Sequence, residues 1–76
     1  MTELTERQKE VLLYIWNFYY NNKFSPTTQE IADHFKIYES AIRGHLKALV
    51  RKKYIIKIKG KVRALKVINL PRKKLI

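Results

Sequence analysis

Apolar residues recur at helical spacing as far as Val50, and on alternate positions from Ile56 onward. A change of hydrophobic period from 3.6 to 2 within one short chain requires helices first and paired strands after them. In a chain of 76 residues there is room for one domain only, and such a domain buries about 60% of the surface its unfolded form exposes. The fold class is therefore α+β, three helices followed by a two-stranded hairpin. It is expected over residues 1–70, with a basic tail over 71–76.

The helices announce their starts. In "LTERQKEVLLYIWNFYYNN", Thr5 caps the first helix and Gln8 returns the bond, the reciprocal arrangement of a capping box. Leu12, Ile15, Trp16 and Tyr19 share its apolar stripe, with Val11 and Phe18 alongside. Most of these aromatic residues are expected in the core, with Tyr14, Phe18 and Tyr20 available to a second subunit. The helix ends before Pro26, which disfavours helical backbone in the residue ahead of it. In "SPTTQEIADHF", Thr27 stands three before Glu30 as a second box, and Ile31, Ala32 and Phe35 give a short helix one buried face. A third helix begins at Glu39 or Ser40 and buries Ile42, Leu46, Leu49 and Val50. Arg43, Lys47 and Arg51, four apart, share a different face.

Two strands follow, expected over about 55–59 and 63–68, with Ile56 and Ile58 alternating with Lys57 and Lys59, and Leu65 and Val67 flanking Lys66. Gly60 marks the reversal. The alternate apolar positions close the core, and the tip presents cations.

Charge supplies the functional lead. The chain carries 17 Lys and Arg against 6 acids, for a net of +11. Residues 1–35 are slightly acidic, while residues 36–76 hold fourteen basic side chains against Glu39 alone. A field so one-sided attracts a polyanion. Two helices joined by a tight turn, the second bearing outward basic residues, place that second helix in the major groove of double-stranded DNA. A basic hairpin after it is a wing.

Other functions find little support. With no cysteine there is neither a disulfide nor a thiolate metal site, and His34 and His45 are eleven apart with no ligand cluster beside them. No glycine-rich phosphate loop, carboxylate pair or nucleophile–base pair appears, so no enzyme and no cofactor is expected. His34 is expected at the surface and His45 packed. No apolar run approaches the roughly 20 residues of a membrane span, and the acidic N-terminus is unlike a signal peptide. A soluble cytoplasmic protein, associated with the nucleoid, fits these features.

The segments "LTERQKEVLLYI", "PTTQEIADHF", "HLKALVRKKYI" and "KIKGKVRALKVI" resemble, in order and in spacing, the DNA-binding domain of the LexA family of repressors, over about residues 4–68. The resemblance implies a winged helix-turn-helix that binds operator DNA. It implies base reading by Ser40, Ala41, Arg43 and Gly44, with Tyr38 and Glu39 just ahead, and a wing formed by Lys59, Gly60, Lys61 and Arg63. Family repressors continue into a self-cleaving peptidase domain; this chain stops before one, so self-cleavage is not expected of it. The turn between the second and third helices is about one residue shorter than in the family, and Lys36 stands where glycine is usual. The base-reading residues differ from the family's, which points to a different operator.

Residue chemistry sorts these positions into roles. Arg43 can donate a bidentate pair to guanine, Ser40 can bond base edges or phosphate, Ala41 can touch a thymine methyl, and Glu39 can accept from cytosine. Gly44 removes bulk one turn on. Thr27, Thr28 and Gln29 open a helix whose N-terminus suits a phosphate, although Thr27 is also needed as a cap. Lys47, Arg51, Lys52 and Lys53 suit backbone phosphates, which fix register without reading sequence. Lys59 and Lys61 flank the tip glycine, and Arg63 suits a narrow minor groove. Lys57 and Lys66 protect strand edges. One reading head covers only a few base pairs, so a homodimer on a two-part operator is expected. The rivals are a nonspecific architectural or replication-associated binder and a protein-binding adaptor.

Overall fold

Helix α1 (Glu6–Asn22), α2 (Thr28–Phe35) and α3 (Glu39–Arg51) precede strands β1 (Ile55–Lys57) and β2 (Leu65–Val67) in a computed structural model that describes residues 3–70. The basic tail expected over 71–76 lies outside the described residues. Both capping boxes form. Gln8 N donates to Thr5 Oγ1 and Thr5 N to Gln8 Oε1; Glu30 N donates to Thr27 Oγ1 and Thr27 N to Glu30 Oε1. Third-helix backbone begins at Glu39, with Tyr38 preceding it in extended conformation and offering no side-chain cap.

The core sits where the three helices meet the inner face of the hairpin. Val11, Leu12 and Ile15 of α1, Ile31 and Ala32 of α2, and Ile42, Leu46 and Leu49 of α3 pack with Ile55 and Leu65. Burying each of the large aliphatic side chains contributes about 1.5–3 kcal/mol. Phe35 closes the α1–α2 seam, its edge toward Tyr14 and Arg7 above its ring. No helix among the described residues is long and apolar enough to cross a membrane.

Four expectations need correction. Val50 is exposed and Ala48 is buried instead, although Val50 follows Leu46 by four and stands nearer the arc of Ile42, Leu46 and Leu49. Tyr19, placed on the apolar stripe, remains exposed, and Trp16 is half-buried, the two lining a cavity beside Ile15, Leu65 and Val67. Each strand is only three residues long. Finally, the alternation in β1 has the opposite phase: Ile55 is fully buried, whereas Ile56 and Ile58 are each 41% exposed. The register explains this. Ile55 pairs with Val67 and Lys57 with Leu65, so Ile55, Leu65 and Val67 share the inner side while Lys57 at the strand end stays exposed; Ile56 pairs with Lys66 on the outer face. A one-residue slip exchanges the two faces of a strand.

Three lysines adopt left-handed backbone, each just past a helix: Lys23 (φ 67°), Lys36 (58°) and Lys53 (68°). Glycine best tolerates this conformation at helix ends. At Lys36 it lets the α2–α3 turn close in three residues, with Ile37 N donating to Ala32 O. The position where glycine is usual therefore does need positive φ, and lysine adopts it here.

Candidate nucleic-acid interface

The outward face of α3 follows from its inward one. With Ile42, Leu46 and Leu49 buried, Ser40, Ala41, Arg43, Gly44, Lys47 and Arg51 are all exposed. Tyr38, immediately before the helix, is 84% exposed. Arg43 Nη2 lies 3.5 Å from Glu39 Oε1 one turn earlier. The positions Ser40, Ala41, Arg43 and Gly44 thus lie on one accessible face of one helix. Gly44 has no neighbour within 4 Å of where a Cβ would stand, so no helix packing accounts for its lack of a side chain.

At α2, the capping box occupies Thr27, which is half-buried. Thr28 is also half-buried, and Gln29 turns back along its own helix, Nε2 donating to Asp33 Oδ1 at 2.9 Å. The helix N-terminus is therefore already satisfied in large part by its own side chains.

Beyond the strands, the chain continues as an extended loop. Ile58 N donates to Ala64 O, and Lys59, Gly60, Lys61 and Val62 project at the tip, all of them exposed. Gly60 has φ 79°, so the tip conformation depends on glycine there.

Two of the cations proposed for DNA also make bonds within the protein. Lys52 Nζ donates to Glu3 O at 2.7 Å and to Gln8 Oε1 at 3.0 Å, tying the end of α3 to the start of α1. Arg63 makes the larger set of contacts within the protein. Its guanidinium forks onto Glu30, Nη1 to Oε1 at 2.8 Å and Nη2 to Oε2 at 2.9 Å, while Nη1 also reaches Ser25 O at 2.9 Å. It lies over the Phe24 ring, 4.6 Å from the centroid. Ala64 and Leu65 are buried, and the side chain just ahead of them meets the loop before α2. Lys53 is exposed but contributes its carbonyl to Asn69 Nδ2.

The Arg63 fork and the Thr27 amide hold the Glu30 carboxyl down to about 2, from an ordinary 4.5, and the same fork raises Arg63. Sequence reasoning placed Glu30 only in a capping box. Its second partner lies 33 residues away, and no local spacing signals such a pair. Ser25 was missed as well. It is buried, and its Oγ accepts from Leu65 N at 3.2 Å. His34 is exposed as expected, stacked on Tyr14 at 4.3 Å, and His45 is half-buried.

A family model, the LexA DNA binding domain, matches residues 1–64. The chain belongs to that family. Similar proteins include the LexA repressor of Thermotoga petrophila, 44% identical over 75 residues, which span 99% of this chain and 38% of the relative. The LexA repressor of Thermosipho africanus is 37% identical over 71 residues, 93% of this chain and 36% of the relative. That of Leptospira biflexa is 40% identical over 69 residues, 91% and 34%. The chain thus spans little more than a third of the length of the curated relatives it matches. Three helices and a two-stranded antiparallel sheet are the winged helix-turn-helix arrangement anticipated for the family.

Proposed function

We propose that this protein binds double-stranded DNA in a sequence-specific manner and represses transcription by occluding an operator. The observation that carries the reading is the exposed face of α3, where Ser40, Ala41, Arg43 and Gly44 stand together opposite a fully buried apolar stripe within a family of DNA-binding domains. Arg43, Ser40, Ala41 and Glu39 supply the base-reading chemistry, and Tyr38 sits at the entrance. Lys47 and Arg51 continue the same face toward phosphates, and Lys59 and Lys61 extend it onto the wing. Thr28 and the backbone amides beside Gln29 accept at most a peripheral phosphate. Two copies on a two-part operator give the specificity that one short reading head lacks.

Selection from a random duplex library at near-physiological salt, followed by sequencing of the bound pool, tests this. A recurrent two-fold symmetric motif is the expected outcome, and its half-site spacing sets the subunit geometry. Binding without enrichment, lost steeply as salt rises, replaces the reading with that of an architectural binder, for which the basic half of the chain would suffice. Sedimentation of strict monomers, both free and on the selected DNA, removes the dimer.

A further inference from the structure

The wing is weakly fastened by its own backbone. Three residue pairs join β1 to β2, and past Lys57 the described ladder continues only with Ile58 N to Ala64 O. The tip that carries Lys59 and Lys61 depends on side chains to hold it against the body. Arg63 and its receiver are among them, beside the buried Ala64 and Leu65. Arg63 grips Glu30 with both Nη atoms, bonds Ser25 O and covers Phe24; two residues on, Leu65 N bonds Ser25 Oγ.

The receiver is itself fixed. Glu30 Oε1 accepts simultaneously from Arg63 and from the Thr27 amide, so the carboxylate that caps α2 also anchors the wing. α2 packs directly on α3, and the buried Ile31 and Ile42 belong to the same core cluster. The fork therefore links wing and reading helix through one short rigid element. A guanidinium–carboxylate fork fixes direction as well as distance, which a lysine cannot do.

We propose that Arg63 and Glu30 are positioning residues for DNA binding: their fork sets the angle of the wing relative to α3, so that Lys59 and Lys61 reach the backbone while α3 occupies the groove. This rests on the DNA-binding reading above. Neither residue needs to touch DNA, and Arg63 works because it is occupied by Glu30.

The sign of one substitution separates this from direct contact. Glu30→Gln removes a negative charge from a protein that binds a polyanion, and it releases Arg63. Were Arg63 a phosphate or minor-groove ligand, binding would hold or tighten. A positioning role requires it to weaken, by about tenfold, the scale on which a loosened support is felt at a binding site. The test measures duplex affinity for wild type, Glu30→Gln, Arg63→Ala and Arg63→Lys, each also in a Lys59→Ala/Lys61→Ala background, with thermal melting and 15N relaxation of residues 59–62 in the free proteins.

Glu30→Gln and Arg63→Ala are expected to weaken binding alike and to mobilise the tip amides, with Arg63→Lys between them and wild type. Their effect should vanish once Lys59 and Lys61 are gone. Unchanged or tighter binding by Glu30→Gln overturns the proposal, as does a loss that persists without the tip lysines, which would signal general destabilisation. Wild type that binds no duplex at all defeats the parent reading instead. With wild-type binding intact, rigid tip amides in Arg63→Ala defeat the positioning claim alone.

Discussion

Arg43 Nη2 stands 3.5 Å from Glu39 Oε1 across one turn of α3, and the arginine side chain remains 62% exposed. An exposed ion pair at this spacing is worth about 0.3–0.5 kcal/mol, whereas a bidentate arginine–guanine contact is worth about 1–3 kcal/mol of discrimination. The pair is thus comparable with thermal energy and too weak to keep Arg43 from a base. Arg43→Ala is expected to reduce affinity for the selected site by about 1–3 kcal/mol and to relax preference at one base pair. Glu39→Gln is expected to tighten binding to random duplex by about twofold, in line with losing one weak competitor, and to narrow the gap to the selected site. Titrations on matched and mismatched duplexes read both effects. Equal losses on matched and random DNA would assign Arg43 to phosphate instead of a base.

Lys52 and its neighbours on α3 make opposite predictions despite equal charge. Its ammonium bridges Glu3 and Gln8, so Lys52→Met should lower the melting temperature and leave the salt dependence of DNA binding unchanged. Lys47→Ala and Arg51→Ala, on the exposed face, should each reduce the slope of log K against log salt by about 0.9, the release expected from one phosphate. Their stability should stay within about 0.5 kcal/mol of wild type. A reduced slope for Lys52→Met would place that lysine on DNA after all.

Acid should act through Glu30. Its folded value near 2 lies below the ordinary 4.5, so the unfolded chain binds the proton more readily and the carboxylate's stabilisation is present above about 4.5. It is then lost as pH falls from 4.5 toward 2. Melting curves should show Glu30→Gln less stable than wild type at about pH 6, with the gap closing below about pH 4.5. Parallel profiles across that range would mean that the fork contributes nothing beyond its geometry.

How much of this was legible in the sequence depended on distance along the chain. Capping at Thr5 and Thr27, the burial of Ile42, Leu46 and Leu49, and the exposure of Ser40, Ala41 and Arg43 all follow from spacings of three or four, which a helix enforces wherever it forms. The phase of β1 did not follow. Tyr54, Ile55 and Ile56 are three apolar residues in a row, and alternation cannot select which of them faces inward until Val67 and Leu65 supply a register. Arg63 was legible as a cation and illegible as an anchor. Its partners Phe24, Ser25 and Glu30 sit 33 to 39 positions away and meet it only after the hairpin folds back onto the loop ahead of α2.

Gly44 offers the sharpest single test of where DNA lies. In the free protein it occupies an ordinary helical position, and a methyl added there would have no protein atom within 4 Å beyond its own stretch of helix. Gly44→Ala should therefore stabilise the fold by about 1 kcal/mol through helix propensity alone. One turn past Ser40 on the reading face, however, a methyl would meet whatever α3 approaches. The expected outcome is a protein that melts higher and binds its selected duplex more weakly, a pairing that no loss of structure can produce. Higher melting with unchanged affinity would instead rotate the reading face of α3 away from Gly44, toward Tyr38, Ala41 and the side of the helix that carries His45.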